Sequence, residues 1–135
     1  MAGKTNYLEG AFLNHLFRTT ALSQPANVYV ALYTATPSDA AGGTEVTGNN
    51  YARVTVSRAD ASWAAPAGTP RAITNAAVLT FPTPSATWGT VTHFGIFDTS
   101  SAGNLLYWAA LGSSKVVNAN DTVSLAIGAL SITED

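Results

Sequence analysis

The chain has 135 residues, so a single domain with its own core is expected. Only 10% of its residues are charged and the net charge is −2, against about 25% charged residues in an ordinary globular domain. Six scattered basic residues exclude a nucleic-acid footprint, the lack of cysteine excludes disulfides and thiolate metal sites, and no apolar run reaches membrane-span length.

The start, "MAGKTNYLEG", has one lysine followed by a polar break. It does not have the pattern of a signal peptide, so use without Sec export is expected. Residues 1–5 read as an N-terminal arm. Residues 6–22 read as one amphipathic helix, with Asn6 and Glu9 spaced as a capping box. At helical periodicity Leu8, Phe12, Leu13, Leu16 and Phe17 cover one half of the cylinder, and Gly10, Asn14, His15 and Arg18 the other. The expectation is that the apolar half lies over an open end or face of a sheet. The alternative is a helix that docks on a partner.

After Pro25 the pattern changes to strands, and residues 27–133 read as a sandwich. "NVYVALYTAT" alternates Val28, Val30 and Leu32 against Tyr29, Ala31 and Tyr33. A long turn-rich loop, 37–50, follows. "YARVTVSR" then places Ala52, Val54 and Val56 inward and Tyr51, Arg53 and Thr55 outward. A second long loop, 59–70, carries Trp63, and "RAITNAAVLTF" reads as a strand broken near Asn75. "GTVTHFGIFD" and "NLLYWAALG", joined by "TSSAG", form the clearest hairpin. "KVV", "TVSLAIG" and "ALSIT" complete the chain. The result is an all-β, antiparallel, jelly-roll-like sandwich of seven or eight strands with one N-terminal helix; an Ig-like topology is not separable from it at this level.

No catalytic constellation stands out. His15 falls on the polar half of the helix, there is no GxSxG elbow, and no histidine pair stands at metal spacing. The acidic residues fall at turns and chain ends, and the Asn/Asp/Gly clusters at 98–104 and 118–122 read as turns. In "VTHFGIFD", Val91, His93, Gly95 and Phe97 share one face and Thr92, Phe94, Ile96 and Asp98 the other. His93 and Asp98 therefore lie on opposite faces, about 16 Å apart along the strand. Asp98 is expected to start the hairpin turn, His93 to fix a neighbouring loop or backbone group, and Gly95 to admit a large side chain close by. No catalytic, cofactor or metal residue is assigned. Candidate partner-interface residues are Tyr7, Phe12, Phe17 and Trp63.

Several segments carry a family look: "VYVALYTATPSDA", "TNAAVLTFP", "WGTVTHFGIFD", "GNLLYWAAL" and "VNANDTVSLAIGALSI". They resemble small virion proteins of tailed bacteriophages, often labelled tail-fibre-like, some of which are capsid cement or decoration proteins. The resemblance spans roughly Val28 to Ile132 and implies a structural protein with no catalytic residues and no cofactor. Its implied setting is the capsid exterior of a virion assembled in the bacterial cytoplasm, as a dimer or trimer bound to the major capsid protein. The alternative is a tail-fibre or baseplate module that binds a host surface glycan, although the chain has no shaft repeat or coiled coil. A small hydrolase would require His93 and Asp98 in one pocket.

Overall fold

The computed structural model describes residues 3–134. Met1 and Ala2, the first part of the expected arm, and Asp135 lie outside the described residues. The chain runs through strand β1 (Gly3–Lys4), helix α1 (Asn6–Phe17) and strands β2 (Asn27–Ala35), β3 (Thr44–Glu45) and β4 (Val54–Ser57). It continues through β5 (Arg71–Thr74), β6 (Leu79–Thr80), β7 (Gly89–Phe97), β8 (Leu105–Val117), β9 (Ser124–Leu125) and β10 (Ser131–Glu134). The fold is all-β and sandwich-like, as the strand pattern implied. The described residues form ten strands where seven or eight were expected, because β1, β3, β6 and β9 are two-residue pairings.

The principal sheet has the order β1-β8-β7-β2-β3, and β4 also pairs with β2. Two small sheets, β10-β5 and β6-β9, complete the pairings, and every pairing is antiparallel. The main core is built between layers. Val30, Leu32, Phe94 and Ile96 from the principal sheet pack with Leu79, Leu130 and Ile132 from the segments bearing the small sheets. Asn75 breaks the strand between β5 and β6 and is itself fully buried. Its side chain donates to the carbonyls of Ala77 and Ala126 and accepts from the Leu130 N–H. One amide thus satisfies the backbone where the chain changes sheets.

The centre of β2 is buried on both faces. Val30 and Leu32 join the main core, while Ala31 and Tyr33 join a second cluster with Phe97 and Leu105. The alternation read from sequence is present, and its outward half is core as well.

Four sequence expectations change. First, α1 ends at Phe17 instead of residue 22. Arg18 takes an extended conformation, and the Leu22 N–H donates to His15 Nδ1 at 3.2 Å, which holds the chain in a non-helical return. Second, the N-cap is Thr5, one residue before Asn6. Its hydroxyl accepts from the Leu8 N–H and donates to the Leu105 carbonyl at 2.5 Å, so one buried side chain caps the helix and ties it to β8. Third, β8 runs unbroken through "SSK". Val91 pairs with Lys115 and His93 with Ala110, so the extra β8 residues are absorbed as a bulge. The same irregularity moves Val91 into the main core with Phe94 and Ile96, away from His93. Fourth, Ala52 is exposed, whereas Tyr51 packs against the main core and the Arg53 side chain is only 6% exposed.

Gly95 lies in β7 between Tyr33 and Leu105. A Cβ there would stand 2.7 Å from Leu105 Cδ1 and 2.8 Å from Tyr33 Cε2. Both neighbours are buried and have little room to yield. Gly95→Ala is therefore expected to cost about 1–3 kcal/mol by overpacking. Urea denaturation reads this directly, and an unchanged midpoint would contradict the packing described.

Candidate partner-docking surface

Arg53 anchors the second face of the sheet. Its Nε and Nη2 donate to the two carboxylate oxygens of Glu45, each at 2.8 Å. Its Nη1 donates to the carbonyls of Thr99 and Ala102, and its Cζ sits 3.5 Å from the centroid of the Phe97 ring. Tyr51 completes the group: its hydroxyl donates to Glu45 Oε1 at 2.9 Å and accepts from the Leu32 N–H at 3.0 Å. A bidentate ion pair over an aromatic face suits the planar guanidinium and would not suit lysine. Burial by itself would lower the Arg53 pKa; the hydrogen bonds and charge of Glu45 outweigh it and raise it. Burial, with the nearby Glu45 charge adding to it, pushes the Tyr33 phenol up to about 12. Burial drives Tyr51 further in the same direction.

The carbonyls that Arg53 grips belong to the β7–β8 turn. Asp98 organises that turn: its Oδ1 accepts from the Asn104 N–H at 2.7 Å and its Oδ2 from Asn104 Nδ2 at 2.8 Å. Ala102 and Gly103 both have positive φ, and a side chain on Gly103 would collide with Thr99 and Asp98. His93 is elsewhere on the hairpin. Its Nδ1 pairs with the hydroxyl of adjacent Thr92 at 2.8 Å, and its ring tilts against Trp108. The same Thr92 hydroxyl lies 3.4 Å from the Tyr33 carbonyl of β2, so His93 faces a strand and not a loop. Burial lowers its pKa, which favours the neutral ring. His93 and Asp98 do not meet. The other acids are dispersed: Glu134 pairs with Lys4 and accepts from the Tyr107 hydroxyl, and Asp121 accepts from the Asn118 N–H.

The surface is organised differently from expectation. In α1 only Leu8 is buried. The helix turns Gly10, Ala11 and Asn14 toward a cleft shared with its own return segment, Thr20–Ser23. Leu13, Leu16 and Phe17 are 60%, 70% and 79% exposed. Tyr7 and Phe12 are less exposed, and Phe12 is met by the Lys4 ammonium 5.7 Å from its ring centroid. The helix therefore does not lay its apolar half on the sheet. Thr5 and Leu8 attach its first turn, and the stripe beyond them faces outward.

Trp63 lies half-buried elsewhere, bridged to Asn75, with its indole N–H donating to the Ser57 carbonyl at 3.0 Å. Together with Ile73, Leu106, Tyr107 and Ile132 it lines a largely apolar groove of about 300 Å³, and Arg58 also lines it. Leu106 reaches this groove because a register shift beside it leaves it as the extra residue between the Ile96–Tyr107 and Phe97–Leu105 pairs. The structure thus separates the four sequence candidates: Tyr7, Phe12 and Phe17 lie on α1 and Trp63 in the groove. Arg53 and Glu45 were missed. Their signal was two opposite charges eight positions apart, Glu45 inside the turn-rich loop and Arg53 just after it, in a chain with few charges. Leu106 and Arg58 had no local signal.

A family model described as podophage GP4 fiber I protein gp80 matches residues 3–133. The chain belongs to that family. It is thereby a phage virion structural protein, and the family description names a fibre, with nothing that singles out the capsid shell. No curated protein matches the chain. For this gp80-family chain, the outward stripe of α1 and the Trp63 groove are apolar features a partner could cover.

Arg53→Met should cost about 2–4 kcal/mol, because it leaves the Glu45 carboxylate without its cation while Glu45 keeps some contact with water. The turn at 98–104 should then exchange its amide hydrogens faster, measured by hydrogen exchange with mass spectrometry. Unchanged exchange there would contradict the role given to Arg53. Alkaline pH provides a separate check. An unfolded tyrosine ionises near 10, while Tyr33 ionises near 12 and Tyr51 and Tyr107 are also shifted upward. The raised values mean that their stabilisation is complete below pH 10 and is lost as pH climbs through the folded values. Thermal unfolding followed against pH should stay level up to about 10 and then fall. A level profile through about 12 would contradict the burial of these phenols.

Proposed function

We propose that this chain is a non-catalytic structural subunit of a virion fibre, in which the sandwich is a rigid body and α1 carries the docking stripe. The observation that carries this reading is the exposure of Leu13, Leu16 and Phe17 on a helix anchored through Thr5 and Leu8. Anchoring one end of the helix while leaving large apolar side chains in water disfavours the isolated subunit. Covering them is worth about 1.5–3 kcal/mol per fully buried side chain. A sandwich without shaft repeats gains from such a stripe a means of joining its neighbours. The family description supports placement in a fibre. The low charge, with a net of −2, supports close packing of subunits by keeping their mutual repulsion small. His93 Nδ1 is engaged by the Thr92 hydroxyl and Asp98 is committed to its turn by Asn104, which supports a structural role for both.

Immunogold labelling of intact particles, combined with quantitative mass spectrometry of purified virions, tests the placement. The expected result is label on the tail fibres and a few to a few dozen copies per particle. Label over the shell with copies in the hundreds would replace the fibre reading with capsid cement. Fibre label together with binding of the isolated protein on a glycan array would add host-glycan recognition to the role.

A further inference from the structure

We propose that the outward stripe of α1 inserts into the Trp63 groove of a second copy of this chain. The inference rests on the fibre-subunit reading and deepens it by naming the partner and the contact. The stripe is convex and apolar, with Leu13, Leu16 and Phe17 within an arc of about 100°. The groove is concave and apolar, floored by Trp63, Ile73, Leu106, Tyr107 and Ile132, with a volume of about 300 Å³. Spacing of i, i+3 and i+4 on a helix is the pattern that a helix presents to such a groove.

Charge fits the same pairing. Glu9 lies one turn before Leu13 on the same stripe, is exposed, and makes no ion pair among the described residues. Arg58 lines the groove, is exposed, and has one hydrogen-bond partner, the neutral Gln24 side-chain carbonyl at 3.0 Å. Insertion of the stripe brings the Glu9 carboxylate to the Arg58 guanidinium. In a chain with 6 basic and 8 acidic residues, an uncommitted anion on the helix and an uncommitted cation in the groove select one orientation. Each copy has one stripe and one groove, so the contact is heterologous and propagates from copy to copy, as a ring or stack in a fibre requires.

The test uses the purified full chain, with association measured by sedimentation equilibrium and folding by thermal melts. The wild type is expected to associate as concentration rises. Leu16→Glu, on a side chain already in water, should keep the melting temperature and abolish association. Glu9→Arg and Arg58→Glu should each weaken association about tenfold. The double charge swap, Glu9→Arg with Arg58→Glu, should restore it. A monomeric wild type at all concentrations, undiminished association of Leu16→Glu, or failure of the swap to restore would each overturn the proposal. Such a failure leaves placement in the fibre standing, because that is read from the labelled particle. Label on the shell, with the swap restoring association, would remove the fibre reading and leave the contact.

Discussion

Much of the second face of the principal sheet depends on one guanidinium. Arg53 makes two hydrogen bonds to Glu45 and two to the β7–β8 turn, and it covers the ring of Phe97. Main core between layers covers the first face of the sheet. The second cluster contains Ala31, Tyr33, Phe97 and Leu105, flanked by Tyr29 and Trp108. A planar cation over Phe97 closes that cluster and ties three separate chain segments to it. Tyr51 extends the tie to β2 by accepting from the Leu32 N–H. In a chain with so few charges, placing an Arg–carboxylate pair here secures loops that aliphatic packing alone would leave free.

The parts of this architecture legible in the sequence were those carried by local periodicity. The β7–β8 hairpin, the alternation of β2, the break at Asn75 and the existence of α1 all follow from side-chain spacing and turn chemistry. The unread parts were set by contacts distant in sequence. Val91 changes face because β8 absorbs extra residues opposite it, and no pattern within β7 records that. Arg53 looked outward by alternation, yet Glu45 and the turn carbonyls neutralise and bury it. The direction of α1 was misread for a related reason. Amphipathicity identifies an apolar stripe, whereas the Thr5 hydroxyl bonded to the Leu105 carbonyl determines which side of the helix meets the sheet.

The inverted helix connects fold to function. Had the apolar half covered the sheet, Leu13, Leu16 and Phe17 would be withdrawn from the surface. Instead Thr5 and Leu8 carry the attachment, and three large apolar side chains are left exposed. The groove has a comparable origin in local irregularity, since Leu106 lines it as the extra residue of a bulge beside the hairpin turn. In the proposed assembly these two departures from regular structure meet each other. The sandwich holds stripe and groove in fixed relation, and the Arg53 group stiffens the hairpin from which the groove is partly built.

The central claim is that the α1 stripe is covered by another copy of the same protein in the particle. The most direct measurement places a photo-crosslinking amino acid at position 16, assembles virions with it, irradiates them and identifies the captured peptides by mass spectrometry. The account predicts capture of peptides from an identical chain containing Arg58, Trp63 or Leu106. Capture of major capsid protein peptides, or no capture in assembled particles, would contradict it.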